Sequence, residues 1–286
     1  VGMSPATPAV GYRFLIDAAA DGAEIQREML RAIDAFCVDM GLSGAHLLFV
    51  DPVWRQSLGD SGFAAWHHQS FLWQNPGCAV FDDYLRPFKS SQRRNIHRER
   101  RQMERSGIRL QALAGEAIDP AWAGRMYDYY LNTNAQYGPW AARYLNESFF
   151  KGIFNHYRHR LLLIAACQKE DPDPPVALSL LLRKGDQLIG RYWGCADTIK
   201  DLHFNMCFYE PIQWAIDHHI RTFDPGAGSP HKLYRGFAAV ANTSLHRFYE
   251  PHLKMLFQRF IDGINQVEQA NIDALNAQLP FAQESP

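Results

Sequence analysis

Two groups that could accept a proton stand close to cationic side chains in the second half of the chain. His231 is followed by Lys232 and, three residues later, by Arg235. Imidazole is the side chain whose ordinary pKa suits proton transfer near neutrality. Glu210, on a helix predicted over 204–220, is a second candidate base, although such a glutamate is more often a surface residue. We therefore predict proton transfer by His231 or Glu210 and anion binding by Lys232 and Arg235.

A strongly basic stretch precedes these residues. Between Arg86 and Arg105 eight cationic side chains accompany two acidic ones, a local charge of +6 in a chain whose net charge is −1. If the stretch is helical, Arg94, Arg98 and Arg101 lie on neighbouring stripes and repel one another. A phosphate or carboxylate ligand would offset this repulsion, because guanidinium groups bind both bidentately. The alternative is a solvated linker helix.

A cationic and aromatic triplet, Arg191, Tyr192 and Trp193, stands between two glycines at the end of a predicted strand. Glycine at such a position indicates a β-bulge or the close approach of a ligand or another backbone. The alternative is a core strand with an aromatic corner. We predict that the triplet binds substrate and that the reactive centre lies between it, the helix carrying Tyr209 and Glu210, and the segment that begins at His231.

The composition is that of a soluble globular protein. Hydrophobic residues make up 47% and charged residues 21% of 286 residues, and no apolar run approaches the length of a membrane span. A net charge near zero gives no overall attraction to nucleic acid or membranes. The five cysteines lack CxxC spacing, and Cys195, His203 and Cys207 match no zinc pattern, so we expect no metal and a cytoplasmic location. The beginning, Val1-Gly2-Met3, predicts that part of the first domain is missing.

Hydrophobic periodicity predicts an α+β protein with similar patterns in its two halves. In each half a helix of about five turns follows an Asp-containing loop and leads toward a strand, which favours an internal duplication. The predicted strands are 12–16, 45–51, 63–73, 109–113, 161–168, 176–183, 187–194 and 232–237, with 161–194 as an antiparallel meander. The predicted helices are 23–40, 90–105, one after Pro120, 145–158, 204–220 and one after Pro251.

Several motifs together resemble the bacterial FemAB-like family of predicted N-acyltransferases, which are related to peptidoglycan biosynthesis or recognition. They are SSQRRNIHRERRQM (90–103), GRYWG (190–194), LHFNMCFYEPIQWAI (202–216) and HKLYRGF (231–237), with Thr243, Ser244 and His246 beyond. The motifs occur in the family's order, and the resemblance spans about residues 12–264. It adds His246 to the substrate-binding candidates.

The resemblance implies tandem GNAT-type acyltransferase domains, each a mixed sheet covered by helices. The implied domains are an incomplete first domain (1–85), a basic connecting helix (86–106) and a second domain (107–286). It implies transfer of an acyl or aminoacyl group to an amine, an EC 2.3 reaction. The co-substrate would be acyl-CoA or aminoacyl-tRNA, with no tightly bound cofactor and with a tRNA contact through 86–105.

The chain departs from the family pattern at two places. The family usually has a glutamate before the histidine of the loop, where this chain has Pro230, and another where it has Gln213. The pyrophosphate-binding sequence of acyl-CoA acetyltransferases is also absent. These differences support an alternative, a non-catalytic protein on the same scaffold that binds an anionic cell-wall precursor or tRNA.

Overall fold

The structure of the protein is a computed structural model. It describes residues 2–4, 9–59, 61–141, 143–170, 173–226, 228 and 230–282. The chain divides into two compact units: unit 1 comprises Val1–Phe71 and Ala239–Gln278, and unit 2 comprises Leu72–Ala238 and Leu279–Pro286. Each unit contains both β-sheet and α-helix.

The described residues form the following strands and α-helices, numbered in chain order. The strands are β1 (Gly2–Met3), β2 (Gly44–Leu47), β3 (Ala64–Gln74), β4 (Ile108–Ala114), β5 (Leu161–Gln168), β6 (Ala177–Lys184), β7 (Gln187–Cys195), β8 (Thr222–Asp224) and β9 (Ala238–Phe248). The helices are α1 (Gly22–Asp39), α2 (Pro52–Ser57), α3 (Phe81–Leu85), α4 (Ser90–Arg105), α5 (Trp122–Ala135), α6 (Glu147–His156), α7 (Leu202–Phe204), α8 (Glu210–Asp217) and α9 (Pro251–Asn276).

Unit 1 is a small mixed sheet with helices at its sides. β1 pairs in parallel with β2, β2 pairs antiparallel with β9, and β9 neighbours β3. Asp51 starts α2, because its carboxylate accepts hydrogen bonds from two backbone N–H groups of the first turn and Pro52 follows it. The Asn265 amide of α9 donates to the Ala65 carbonyl and accepts from the His67 N–H, which fixes the helix to β3.

Unit 2 contains a sheet whose strands lie in the order β3-β8-β7-β6-β5-β4. Only the last residues of β3 belong to this part of the sheet, where they pair with β8. The pairs β4–β5, β5–β6 and β6–β7 are antiparallel, whereas β7 and β8 are parallel. The predicted meander over 161–194 is therefore confirmed. The parallel pair follows from the helical segment between Leu202 and Asp217, which returns the chain to the same end of the sheet.

Helices α5 and α6 close one face of this sheet with an apolar and aromatic cluster. Met126, Phe150, Phe154 and Leu163 have no more than a trace of exposed surface. Burial of each side chain of this size contributes about 1.5–3 kcal/mol to folding. The strand β5 is buried along nearly its whole length, which explains its continuous apolar sequence rather than an alternating one.

Two strand predictions are wrong and three strands were missed. Residues 12–16 form no strand, and only Tyr12 makes a single bridge to Val50. The segment Pro230–Arg235 is a 3₁₀ helix rather than a strand. Gly236 ends it in the left-handed region with φ +74°, where its N–H bonds to the Leu233 carbonyl. The missed strands are β1, β8 and β9.

The division of the chain differs from the predicted boundaries at 85/86 and 106/107. Residues 239–278 belong to unit 1, because β9 pairs with β2 and α9 packs beside β3. Residues 72–106, including the basic helix α4, belong to unit 2. Pairing between strands far apart in sequence, such as Leu47 with Leu245, determines this division.

We expect Gly194→Ala to destabilise unit 2 by about 3 kcal/mol, the upper range for overpacking. A Cβ on Gly194 would lie 2.1 Å from the Tyr129 carbonyl oxygen, so α5 would have to move away from β7. Urea unfolding measures the change. The matched control is Gly152→Ala in α6, where a Cβ meets nothing within 4 Å and where alanine favours the helix. Equal stability of Gly194→Ala and the unchanged protein would contradict the prediction.

Candidate active site

The strands β7 and β8 part in the middle of unit 2. They pair in parallel at three positions only, ending at Ile189 with Asp224. Beyond this pair β7 continues to Cys195, while β8 ends and the chain turns at Pro225 and Gly226. A Cβ on Gly190 would lie 3.3 Å from the Pro225 backbone. The regular pairing of β7 with β8 therefore ends between Gly190 and Pro225, and we call this place the opening.

A β-bulge lies on β7 at this opening. Leu180 of β6 faces Tyr192 and Leu181 faces Gly190, so Arg191 is the extra residue. A bulged residue is left out of the regular hydrogen-bond ladder and re-aims its side chain. Arg191 thus lies outside the regular β6–β7 ladder, next to the end of the β7–β8 pairing. Of the two features that the glycines indicated, a bulge or a close approach, the bulge is present at this place.

The three side chains of the triplet have different surroundings. Tyr192 packs edge-on against Tyr130 in the aromatic cluster beneath α5, with ring centroids 5.3 Å apart. The Arg191 guanidinium lies 5.2 Å from the Tyr192 ring and donates to its hydroxyl. Trp193 contacts the His203 ring at 4.6 Å. The second glycine of the motif, Gly194, is required by the close approach of α5.

The segment after β7 begins with α7, continues as one π-helical turn over Asn205–Tyr209 and ends as α8. Such turns occur frequently at functional sites. His203 is largely buried, and its pKa is lowered to about 4 by desolvation first and then by the charges of His231, Arg235 and Lys232. It therefore stays neutral at physiological pH.

The 3₁₀ helix carries His231 and Lys232 to the same region. The His231 ring lies 5.6 Å from the Phe208 ring and 5.9 Å from the His203 ring. Burial and the charges of Arg235 and Lys232 lower the pKa of His231, so its neutral, proton-accepting form predominates near neutrality. Its predicted role as a proton acceptor stays a prediction.

Lys232 is buried, with 2% of its surface exposed, and its Nζ donates to the Gly226 carbonyl at 2.6 Å. Desolvation lowers its pKa to about 8, while the Asp224 carboxylate acts in the opposite direction. The pKa of Asp224 is itself raised by burial. The ammonium group thus ties the turn after β8 to the 3₁₀ helix at the edge of the opening.

Arg235 is held inside the unit by an ion pair with Glu99 of α4. Nη2 lies 3.1 Å from Glu99 Oε2, and the two side chains are 5% and 6% exposed. The Tyr209 hydroxyl donates to the same carboxylate, and the Arg235 guanidinium stacks on the Phe204 ring at 3.6 Å. Arg235 and Tyr209 were predicted to bind substrate; the structure makes both of them partners of a buried carboxylate.

Glu210 lies in a different place from His231. Its carboxylate is 3.4 Å from Arg100 of α4, and it lines a groove that His231 does not line. Burial raises the pKa of Glu210, and Arg100 opposes this effect. The two predicted bases are therefore not brought together. Arg101 lines the same groove, whereas Arg94 and Arg98 are exposed elsewhere on α4.

A family model described as peptidoglycan biosynthesis/recognition, that of the FemAB-like family, matches residues 1–283. The chain belongs to the FemAB-like family. No curated protein matches the chain.

Solved structures support the fold of this FemAB-like protein. FemX has a TM-score of 0.56 at 12% identity, covering 88% of this chain and 84% of that one. L-PGS from Bacillus licheniformis has a TM-score of 0.52 at 11% identity, covering 84% and 78%. The C-terminal domain of a putative lysylphosphatidylglycerol synthetase from Agrobacterium fabrum has a TM-score of 0.53 at 10% identity, covering 85% and 79%. The predicted α+β class, with mixed sheets covered by helices, is confirmed.

His246 belongs to unit 1 of the FemAB-like chain. Its Nδ1 lies 2.8 Å from Nδ1 of His46, and its ring contacts Trp66. Desolvation first, and then His46 and His68, lower its pKa to about 4. Its predicted role in substrate binding stays a prediction.

Within the described ranges no cluster of His, Cys, Asp and Glu could hold a metal ion, and no helix is long and apolar enough to cross a membrane.

Sequence reasoning gave no role to Glu99 and Asp224, and it considered His203 only as a metal ligand. Glu99 appeared as one of two acids in a basic helix, yet its spacing from Ile96 and Met103 places all three on the buried face of α4. This spacing could have identified Glu99 as a buried partner. Asp224 lay in a strand that was not predicted, and it offered no local signal.

We expect His203→Gln to reduce the acid sensitivity of folding. The folded protein protonates His203 only near pH 4, and the unfolded chain does so near its ordinary pKa of about 6.5. The unfolded state therefore binds more protons between these values, so stability falls as pH drops from about 6.5 to about 4. Urea unfolding across this window should show a smaller loss for His203→Gln than for the exposed control His156→Gln. Parallel pH profiles for both variants would contradict the assignment.

Proposed function

We propose that the chain transfers an activated acyl or aminoacyl group from acyl-CoA or aminoacyl-tRNA to an amine. The reaction would take place in unit 2, at the opening between β7 and β8. The observation that carries the proposal is the bulge at Arg191, which lies outside the regular ladder next to the end of the β7–β8 pairing. Backbone N–H groups at such a place would be suited to hold the carbonyl oxygen of an ester or thioester.

The main requirement of the proposed reaction is that the protein position the amine and the donor carbonyl group. The amine nitrogen attacks the carbonyl carbon, a C–N bond forms, and the C–S or C–O bond of the donor breaks. Negative charge on the carbonyl oxygen would be stabilised by backbone N–H groups near Arg191. His231 would accept the proton of the amine, and the leaving thiolate or alkoxide would take up a proton.

Membership of the FemAB-like family gives this reaction its context, peptidoglycan biosynthesis or recognition. An amine of a cell-wall precursor is therefore the acceptor that we propose. Arg191, Tyr192 and Trp193 would contact the donor, while Lys232 would shape the turn beside it. Arg94, Arg98 and Arg101 were predicted to hold anionic groups; Arg101 lines the groove that Arg100 and Glu210 also line.

A binding protein on the same scaffold is the second candidate. Two observations favour it: Glu99 forms an ion pair with Arg235, and Arg100 forms an ion pair with Glu210. Arg235 and Glu210 are therefore less available for catalysis than the sequence predicted. Retention of a neutral histidine beside the opening supports the enzyme instead.

A mass-spectrometric screen of the full chain separates these candidates. Acyl-CoAs and aminoacyl-tRNAs would be offered as donors, with cell-wall precursor peptides as amine acceptors. We expect one donor and acceptor pair to give an amide product with loss of the thiol or tRNA. Binding of a precursor without product formation from any donor would favour the binding protein and contradict the transferase.

A further inference from the structure

Helix α9 of unit 1 carries an apolar stripe that is open to solvent. Leu256, Phe260 and Val267 are 46%, 51% and 62% exposed, and Leu253 and Ile264 beside them are exposed as well. These side chains form one continuous patch on a single helix. Continuous exposed apolar surface in a folded protein marks a site of interaction.

The face of α9 that packs on unit 1 is a different one. Ile261 and Ile272 are buried, and the Phe257 ring lies 5.0 Å from the Phe248 ring of β9. Asn265, on the same face, binds the backbone of β3. The exposed stripe is therefore not part of the contact that fixes α9 to its own sheet.

The stripe has the spacing of a coiled-coil seam. Its members are all exposed and follow one another at alternating intervals of three and four residues: Leu253, Leu256, Phe260, Gly263, Val267, Ala270 and Ala274. We call this set the α9 seam. It has an apolar or small residue at every a and d position of the heptad repeat. Such a repeat predicts that another helix packs along the seam.

The α9 seam is complementary to itself in the antiparallel direction. Its bulkiest side chains lie in the first half of the helix, whereas its second half ends with two alanines. A second copy of α9 that runs antiparallel would therefore place a large side chain over a small residue at each step. The facing pairs would be Leu256 with Ala274, Phe260 with Ala270 and Val267 with Gly263. A two-fold axis would repeat each of these contacts.

Gly263 agrees with this arrangement. It lies in the middle of α9, and glycine is a poor helix former. A Cβ on Gly263 would meet nothing within 4 Å, so packing within the described residues does not require a glycine there. Close approach of Val267 from an antiparallel second copy would give this position a reason to be glycine.

The charges of α9 are distributed in the same antiparallel sense. Lys254 and Arg259 lie in its first half, whereas the residues from 260 onward contain Asp262, Glu268 and Asp273 and no Lys or Arg. Arg259 and Asp273 are exposed and occupy g positions beside the seam. An antiparallel second copy would bring Arg259 of each chain to Asp273 of the other. An anionic membrane surface, in contrast, would repel the acidic second half.

We propose that the α9 seam binds the α9 seam of a second copy of this chain, as an antiparallel helix pair about a two-fold axis. Apolar spacing, the order of large and small residues, and the order of charges all favour this partner. The inference concerns unit 1 and does not rest on the transferase reaction proposed for unit 2. It would hold if that proposal failed.

Sedimentation equilibrium of the full chain at about 1–100 μM, the range of moderate affinities, tests the proposal. We expect a dimer. Phe260→Ala should raise the dissociation constant of the dimer by about 30-fold, the effect of truncating a central interface side chain. The matched control is Met255→Ala, which removes an exposed apolar side chain of α9 outside the seam. The control should bind within about twofold of the unchanged protein, and circular dichroism checks that both variants are folded.

A charge exchange identifies the partner as the same helix. Asp273→Arg alone should weaken the dimer by about tenfold, because it places like charges side by side. Arg259→Asp combined with Asp273→Arg restores opposite charges across the two-fold axis. We expect this double variant to return to within about threefold of the unchanged protein.

The direction of the pair is tested by disulfide formation. Under mild oxidation, Leu256→Cys chains mixed with Ala274→Cys chains should form a mixed disulfide, whereas two Leu256→Cys chains should not be linked. A monomer at every concentration, equal dissociation constants for Phe260→Ala and Met255→Ala, or failure of the charge exchange to restore the dimer would overturn the proposal. Linkage of two Leu256→Cys chains, or binding to phosphatidylglycerol vesicles without self-association, would also overturn it.

Discussion

Glu99→Gln is expected to lower the free energy of unfolding by about 3–5 kcal/mol, the usual effect of leaving one member of a buried ion pair uncompensated. Arg235 and Glu99 are nearly inaccessible to water, and Nη2 of the arginine lies 3.1 Å from the carboxylate. The Tyr209 hydroxyl and the Asn95 amide also donate to this carboxylate. Loss of its charge therefore weakens three contacts at once. Urea unfolding by circular dichroism measures the change.

Two further variants make this test specific. Glu104→Gln, an exposed acid on the same helix, should change the free energy of unfolding by less than about 0.5 kcal/mol. Glu99→Met combined with Arg235→Met should recover much of the loss, because an apolar pair of similar volume often replaces a buried ion pair without cost. A small effect of Glu99→Gln, equal to that of Glu104→Gln, would show that the ion pair is not structural.

The pair also shows why the role of Arg235 was not predictable from sequence. Arg235 stands beside His231 and Lys232, which indicates an anion-binding group, but its partner is 136 residues away in the chain. The packing of α4 against the 3₁₀ helix Pro230–Arg235 brings Glu99 to it. Local spacing could identify the buried face of α4, and it could not identify what that face contacts.

Local patterns were sufficient where neighbouring elements in sequence pair in space. The meander of β5, β6 and β7 follows from apolar runs separated by turn residues, and α4 follows from its uniform helical sequence. Residues 232–237 were predicted as a strand, but residues 232–235 lie in a 3₁₀ helix. Burial of Lys232, Leu233 and Arg235 instead follows a 3₁₀ turn.

The candidate site was also predictable where a local sequence signal was present. The glycines at 190 and 194 indicated a bulge or a close approach, and both are present. The strand predicted to open toward β7 began at Lys232, whereas the actual partner is β8, three residues long. So short a strand has no periodicity of its own, and its parallel pairing with β7 depends on the whole sheet.

The neutral histidine at this opening leads to the largest expected effect on activity. On a confirmed donor and acceptor pair, His231→Ala should lower kcat by about two to four orders of magnitude, the usual contribution of a general base. KM should change little, because the imidazole is expected to accept a proton rather than to hold either substrate. Steady-state kinetics separates the two quantities. His159→Ala, which removes an exposed histidine from the same unit, is the matched control.

The pH profile makes this prediction specific to proton transfer. Burial, together with the charges of Arg235 and Lys232, lowers the pKa of His231. The imidazole therefore stays neutral, and able to accept a proton, at pH values below its ordinary pKa of about 6.5. We expect the acidic limb of the kcat/KM profile at pH values below about 6.5, and we expect it to disappear in His231→Ala. Glu210→Ala tests the other candidate base, which the structure places beside Arg100. Full activity of both variants would exclude them as bases, and the amine would then have to arrive neutral, leaving positioning at the Arg191 bulge as the protein's contribution.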